Sequence, residues 1–289
     1  NDLNEIEFKI EKYNTSFPLV IDPVNYWITY LGGSEFDASN DITADANGNM
    51  IVTGYTGSVA FPVSVGSFQT ALNGLYNVVV SKFSESGAMV WSTYYGGGLL
   101  ELANGVTANA AGEIAVVGKT TSTDFPTSTS CFQSALNGRV DMFVVKLTST
   151  GVRDWATLLG GSDPTNGFGT EEAHSVCFTT ANELVVSGST ESPGFPVTDG
   201  GALRGNNDIG ISKFSSTGSL LACKYIGGTS NEMSVPTWYP KGSDVVADHS
   251  NHIILVASSR SYNFPVTTGA FQSGVFIGTY ISEDAVLLK

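Results

Sequence analysis

Charge is scarce in this chain, and positive charge scarcer still. Asp, Glu, Lys and Arg make up 14% of 289 residues, and 13 basic side chains stand against 27 acidic ones, a net −14. Phosphate backbones and anionic membranes are repelled by such a surface, so nucleic acid is excluded as an expected partner. No apolar run approaches the roughly 20 residues needed to span a bilayer. Cysteine is limited to Cys131, Cys177 and Cys223, an odd and widely spaced set that makes no disulfide framework and reads as free, mostly buried thiols. A convincing helical 3.6-residue period is missing throughout. The first residues, Asn1-Asp2-Leu3-Asn4-Glu5, carry neither an initiator Met nor a signal-peptide pattern and are expected to be the interior of a longer or processed protein.

What is abundant is repetition. Trp-x-x-aromatic/Leu-aliphatic-Gly-Gly occurs at Trp27–Gly33, Trp91–Gly97 and Trp155–Gly161, with 64 residues between successive Trp, and degraded at Ala222–Gly228. Phe-Pro recurs at Phe61-Pro62, Phe125-Pro126, Phe195-Pro196 and Phe264-Pro265, and apolar runs end in Lys82, Lys146, Lys213 and Lys289. A unit repeated at fixed period stacks on its own copies to bury its apolar faces.

Within one repeat the text divides into four short strand-like runs. Asp41–Asp45, the turn Ala46-Asn47-Gly48, Asn49–Gly54, a long connection holding Phe-Pro, then Asn77–Lys82, the turn Ser84–Gly87, and Met89–Tyr95 make the first set. Four antiparallel strands per repeat predict an all-β chain, a β-propeller of four-stranded blades. The blades are expected at about 34–97, 98–161, 162–228 and 229–289. The last is completed by 26–33, which closes the ring, or the repeats form part of a larger propeller; residues 1–25 are a linker or the tail of a preceding β-rich domain.

These phrases resemble the SBBP family of bacterial β-propeller repeats. The residues that carry the likeness are Gly48–Gly54, Phe61-Pro62, Gly66–Gln69, Val78–Lys82 and Ser92–Gly97, with Gly269-Ala-Phe-Gln272 in the last repeat. Glu7–Tyr13 and Pro18–Pro23 resemble the end of the β-rich domain that commonly precedes such repeats. The resemblance implies an exported, multidomain parent acting at the cell surface, with protein or glycan and other domains of the same parent as partners. It brings no catalytic residues. The third repeat departs from the pattern, with Ala202-Leu203 for Phe-Gln and Ala222 for Trp.

Weighed singly, the motifs read as framework. Trp27, Trp91 and Trp155 are expected between blades, the Gly-Gly pairs as tight strand exits accepting φ > 0, and Phe61, Phe125, Phe195 and Phe264 as loop anchors. Asp45-Ala-Asn-Gly-Asn49 has the spacing of an oxygen-ligand calcium loop without its downstream Glu, so it reads as a turn, with calcium the lesser alternative. His249 and His252 flank a hairpin turn, which sets them differently from a zinc pair on a helix, and no metal site is nominated. Ser84–Trp91 and Thr148–Trp155 partly resemble the Asp-box turns of sialidase-type propellers, but the Asp is missing. Arg139, Arg153, Arg204 and Arg260 form no cluster, and no facing carboxylate pair, Ser-His-Asp set or phosphate loop stands out.

Function is therefore sought where the repeats differ. The connections after Gly161 and Gly228 are longer than those after Gly33 and Gly97, and carry Asp163, Glu171, Glu172, Glu232, Trp238, Tyr239 and Lys241. Insertions on one face of a repeat protein often bind. The leading expectation is a non-catalytic scaffold or binding module using one rim. The alternative is a propeller glycosidase or lyase using acidic rim residues such as Asp163, Glu171 or Glu232.

Overall fold

A computed structural model describes residues 27–162, 169–233, 242–274 and 284–289. Residues 1–26, which hold the expected preceding segment, and Asp163, Trp238, Tyr239 and Lys241 lie outside the described residues.

The described residues contain strands and no helix. The first sheet runs β1 (Asp37–Ala44), β2 (Met50–Thr56), β3 (Asn77–Phe83) and β4 (Met89–Tyr95). The second runs β5 (Glu101–Ala108), β6 (Ile114–Thr120), β7 (Asp141–Leu147) and β8 (Arg153–Leu159). β9 (Glu171–Phe178), β10 (Leu184–Thr190), β11 (Asp208–Phe214) and β12 (Leu220–Ile226) make the third, and β13 (Ser243–Ala247), β14 (Ile253–Ser259) and β15 (Asp284–Leu288) the fourth. Every sheet is antiparallel and ordered as its strands occur in the chain. Trp27–Leu31, expected within the strand that completes the last sheet, is not in a strand.

Turn chemistry explains the hairpins. Between the first two strands of a sheet, Asp45 N–H donates to Asn49 O and Gly48 N–H to Asp45 O, closing a three-residue loop with Gly48 at φ 77°. Gly112, Asn182 and Asn251 hold the same left-handed place in the other sheets, Asn being the side chain that tolerates it best.

Successive sheets stack face to face, with the first strand of each lying on the first and second strands of the one before: β5 on β1 and β2, β9 on β5 and β6, β13 on β9 and β10. A strand sandwiched in this way must be apolar on both faces. Ile114 and Val116 of β6 accordingly join Ile51, Val80 and Trp91 in one core, while their neighbours Ala115 and Val117 join Val176, Leu184 and Trp155 in the next. The third core sets Val185 and Ile209 against Val245, Leu255 and Ala257. Each fully buried Val, Leu or Ile stabilises the stack by about 1.5–3 kcal/mol.

First strands start earlier than their alternation suggests, since each of the first three is broken by a β-bulge, at Ser39/Asp41, Ala103/Gly105 and beside Ser187/Gly188. The extra residue reaches the next sheet: Asn40 Nδ2 donates to Ala103 O (2.7 Å) and Asn104 Nδ2 to Ala173 O (2.9 Å). In the third sheet His174 takes this place, buried against Gly242.

Candidate functional site: carboxylates at the sheet junctions

Glu171 and Glu232 do not stand on a rim, and this corrects the expectation from sequence. Both are fully buried, because each is one copy of a latch repeated in every sheet. In the third sheet Glu171 Oε2 accepts from Gly161 N–H (3.0 Å) and Oε1 from Thr190 Oγ1–H (3.0 Å). In the second, Glu101 Oε2 accepts from Gly97 N–H (3.0 Å) and Oε1 from Thr120 Oγ1–H (2.7 Å). In the first, Asp37 accepts from Gly33 N–H and the Thr56 hydroxyl; in the fourth, Glu232 accepts from the Ser259 and Ser261 hydroxyls. The carboxylate thus ties the end of one sheet's last strand, or the Gly-Gly after it, to the second strand of the next sheet.

The first glycine of each Gly-Gly pair is closed in by the junction carboxyls. None of the paired glycines has positive φ, contrary to the expectation above. A Cβ on Gly96 would stand 2.2 Å from Glu101 Oε2, one on Gly160 2.2 Å from the Asp141 carboxyl, and one on Gly227 2.6 Å from Glu232 Oε2. Glycine is there because the acid fills the space.

The third strand sends its first residue to the same place. Asn77 Nδ2 donates to Glu101 Oε2 (2.8 Å), so that latch is a neutral amide on a carboxylate. Asp141 and Asp208 replace Asn77 at the next two junctions and bring a second acid close to Glu171 and Glu232. Burial pushes Glu171 up to about 7, and nearby Asp141 adds to the rise. Burial likewise pushes Glu232 up to about 7, with Asp208 acting in the same direction. Glu101 and Asp141 are also raised by burial.

Glu172 is a different case. About a quarter of its side chain is exposed, and it pairs with Lys119 Nζ (2.7 Å) and accepts from Asn104 Nδ2 (2.9 Å). Burial acts to raise its carboxyl, but Lys119, His174 and the Asn104 donor together leave it below the usual range. His174 nearby is held neutral by burial, and its Nδ1 has no hydrogen-bond partner.

A second set of ions sits at the hairpin turns. Lys82 meets Asp45 (2.8 Å), Lys146 meets Glu113 (2.8 Å), Lys213 meets Glu183 (2.5 Å) and Lys289 meets Asp248 (3.1 Å). The acid opens the turn in the outer two sheets and closes it in the inner two. Burial acts to raise the Asp45 carboxyl, but Lys82 and the Asn49 and Asn47 donors overcome it and hold the acid well below its usual range. A calcium ion at Asp45 would have to displace that ammonium.

The tryptophans dock on the other hairpin turns, those between third and fourth strands, and bolt the first sheet to the second and the second to the third. Trp27 Nε1 donates to Glu85 O (3.0 Å), Trp91 Nε1 to Ser149 O (3.1 Å) and Trp155 Nε1 to Ser216 O (2.9 Å). Their rings lie on Gly87, Gly151 and Gly218, which have φ of 84°, 81° and 88° and where a Cβ would stand 2.7–2.9 Å from the indole. Phe61, Phe125 and Phe195 are buried at their loops, and Phe264 is partly buried against the third core. Phe61 N–H donates to Tyr94 Oη and Phe195 N–H to Tyr225 Oη, each at 3.1 Å. Cys177 and Cys223 are buried free thiols pushed up to about 12 by burial, and Cys131 is half-buried and free.

Sequence reading singled out Glu171 and Glu232 but missed Asp37 and Glu101 as their equivalents. The signal was present: Gly-Gly, three residues, an acid, and later Thr/Ser-x-Ser before Phe-Pro, at Thr56-x-Ser58, Thr120-x-Ser122, Thr190-x-Ser192 and Ser259-x-Ser261. Among the described residues no group of three or more His, Cys, Asp or Glu is arranged to hold a metal ion.

No protein-family model matches the chain, and no curated protein matches it. A solved structure that does match is an N-acetylgalactosamine deacetylase from F. plautii in complex with blood group B trisaccharide. The identity is 10%, 86% of this chain and 70% of that one are covered, and the TM-score is 0.35, too low to carry any argument.

Proposed function

We propose that the chain is a β-propeller scaffold of the SBBP repeat kind, a binding module of an exported bacterial protein that presents loops to protein or glycan at the cell surface. The observation that carries the reading is the fourfold latch. The buried acids Asp37, Glu101, Glu171 and Glu232 hold equivalent places and equivalent bonds, so their common role is to join sheets. An acid of a glycosidase has to reach its substrate, and Glu171 and Glu232 are spent internally. Stacking through the first strands is the packing that radial blades require.

Binding then falls to the loops that differ between repeats, with Trp238 and Tyr239 as aromatic anchors and Asp163, Glu172 and Lys241 as the further candidates. The test is a glycan array probed with the purified chain. The expected result is retention of one glycan class without turnover, weakened roughly tenfold or more by Trp238→Ala with Tyr239→Ala. Release of free sugar that disappears in Glu172→Gln, the fold being unchanged, overturns the reading in favour of a hydrolase.

A further inference from the structure

Asn77 opens the third strand of the first sheet, and the two ends of its amide face different groups. Oδ1 accepts from Gln69 Nε2 (2.9 Å) and Asn73 N–H (2.8 Å), while Nδ2 donates to Glu101 Oε2 (2.8 Å) and Gly97 O (3.1 Å). Donors meet the oxygen and acceptors meet the nitrogen, so this place calls for a group that both accepts and donates.

Asp141 and Asp208 hold the same place in the next two sheets and keep the accepting half of the pattern. Asp141 Oδ2 accepts from Gln133 Nε2 and Asn137 N–H (2.9 Å), and Asp208 Oδ2 accepts from Arg204 N–H (2.9 Å). That leaves Oδ1 of each acid where Asn77 has its nitrogen. The glycines give the same answer. A Cβ on Gly96 would stand 2.5 Å from Asn77 Nδ2 and 2.2 Å from Glu101 Oε2. One on Gly227 would stand 2.5 Å from Asp208 Oδ1 and 2.6 Å from Glu232 Oε2, and one on Gly160 2.3 Å from Asp141 Oδ1.

An ionised aspartate brings no hydrogen to that place. Glu232 Oε2 shows the consequence, for it is buried without a hydrogen-bond partner, whereas its equivalent Glu101 Oε2 has Asn77 Nδ2 and Gly97 N–H as donors. Two ionised carboxylates facing each other away from water repel, and neither can satisfy the other. One proton between them removes both faults.

We propose that each of these junctions holds one proton shared by its acids, between Asp141 Oδ1 and Glu171 Oε2 and between Asp208 Oδ1 and Glu232 Oε2, and that losing it as pH rises through neutrality loosens the third sheet from the second and the fourth from the third. The first junction uses the Asn77 amide, needs no such proton and keeps its grip.

The groups around the pairs leave the proton as the remaining means of joining the acids. Tyr225 of β12 faces Glu171 and Asp208, and burial pushes its hydroxyl up to about 12, so it stays neutral through this range. Lys119 is paired with Glu172 (2.7 Å). Glu191 and Arg260 lie between the hydroxyl residues that donate to Glu171 and Glu232, and Arg139 and Arg204 are exposed. Burial raises Glu101, Glu171 and Glu232 alike, and the two that face a second acid reach about 7.

Infrared difference spectra of the 289-residue chain between pH 6 and pH 9 read the carbonyl stretch of protonated carboxyls directly. Wild type is expected to lose two more of them than the Asp141→Asn/Asp208→Asn protein, in which both places copy Asn77. Each single substitution is expected to account for one, and Asn77→Asp to add one. Hydrogen exchange, corrected for its intrinsic pH dependence, is the second readout. A carboxyl raised in the folded state stabilises fully below its unfolded value of about 4.5 and ceases to do so as pH passes 7. Opening of β9–β15 in wild type should therefore rise by up to about tenfold per pH unit for each proton between pH 5 and pH 7, relative to β1–β4, and this excess should vanish in the doubly substituted protein. A folded wild-type chain without a protonated carboxyl at pH 6 overturns the proposal. So does an equal loss in wild type and in the doubly substituted protein with unchanged circular dichroism.

Discussion

Glu171→Gln should make the protein more stable at pH 8 and change it little at pH 5. Burial raises the Glu171 carboxyl to about 7 in the folded chain, against 4.5 for an ordinary glutamate. Between those values the folded protein holds a proton that the unfolded chain has released, so stability falls as pH rises, by up to about 1.4 kcal/mol per pH unit for one group. The stabilising form is complete below pH 4.5 and is lost as pH passes 7. A rise of about 2.5 units corresponds to roughly 3 kcal/mol by pH 8. His174 works the other way in part of this window, since a buried neutral histidine costs stability once the unfolded chain protonates below 6.5. The acids held low, Asp45 and Glu113, act below the window. Comparing wild type with Glu171→Gln at each pH cancels these contributions. Glutamine copies the protonated acid: its oxygen can accept from Gly161 N–H and its amide can face Asp141. Urea unfolding followed by Trp fluorescence at pH 5, 6, 7 and 8 should show the variant gaining on wild type by roughly 3 kcal/mol across the series, about 5 °C in Tm for a chain of this size. A variant equally destabilised at every pH would refute the claim that Glu171 keeps its proton near neutrality.

Two further outcomes follow from the junctions. Trp91→Ala should cost about 3–5 kcal/mol in urea unfolding, and Gly151→Ala should cost stability at the same contact; the paired variant should cost less than the sum, because both changes act on one ring-on-backbone contact. Lys82→Met should cost about 3–5 kcal/mol by leaving Asp45 buried without its ion partner, and Asp45→Asn in the same chain should restore much of the loss, read as a double-mutant cycle.

Most of the sheets were legible because their strands carry apolar runs between turn residues and recur at a fixed spacing. β4, for example, spans Met89–Tyr95, the same residues as the run read in the sequence. First strands were misjudged at their starts, since the bulges at Asn40 and Asn104 shift the alternation by one and hide the residues before them. The latch was harder to see. Its acid is Asp at 37 and Glu elsewhere, and the insertion after Gly161 moves Glu171 to ten residues beyond the glycine, whereas Asp37, Glu101 and Glu232 lie four beyond theirs. The ion pairs at the turns were hidden in the same way. Each lysine sits at one position in its repeat, but its acid changes place across the hairpin, and only spatial proximity shows that Asp45 and Glu113 do the same work.

The junctions are not equally strong, and this predicts the order in which the chain opens. Between the second and third sheets, Trp155 and Lys146 both donate to Ser216 O, and Asn104 bridges to Ala173 O. At the third sheet Ala222 stands where the tryptophan would be, and Lys213, paired with Glu183, is 36% exposed against 3% for Lys146. His174 replaces the bridging asparagine with a buried nitrogen that finds no partner. Bonds such as Ser187 to Ser243 (2.9 Å) and Ser175 to Asp244 (2.5 Å) remain, but the aromatic bolt is gone. Local opening begins where buried contact is least. Hydrogen exchange should therefore release the amides of β13–β15 first, at a free energy below that of global unfolding, while β5–β8, enclosed by sheets on both faces, exchange last. Protection of β14 equal to that of β6 would show that apolar contact through Val245, Leu255 and Ala257 alone makes this junction as firm as the bolted ones.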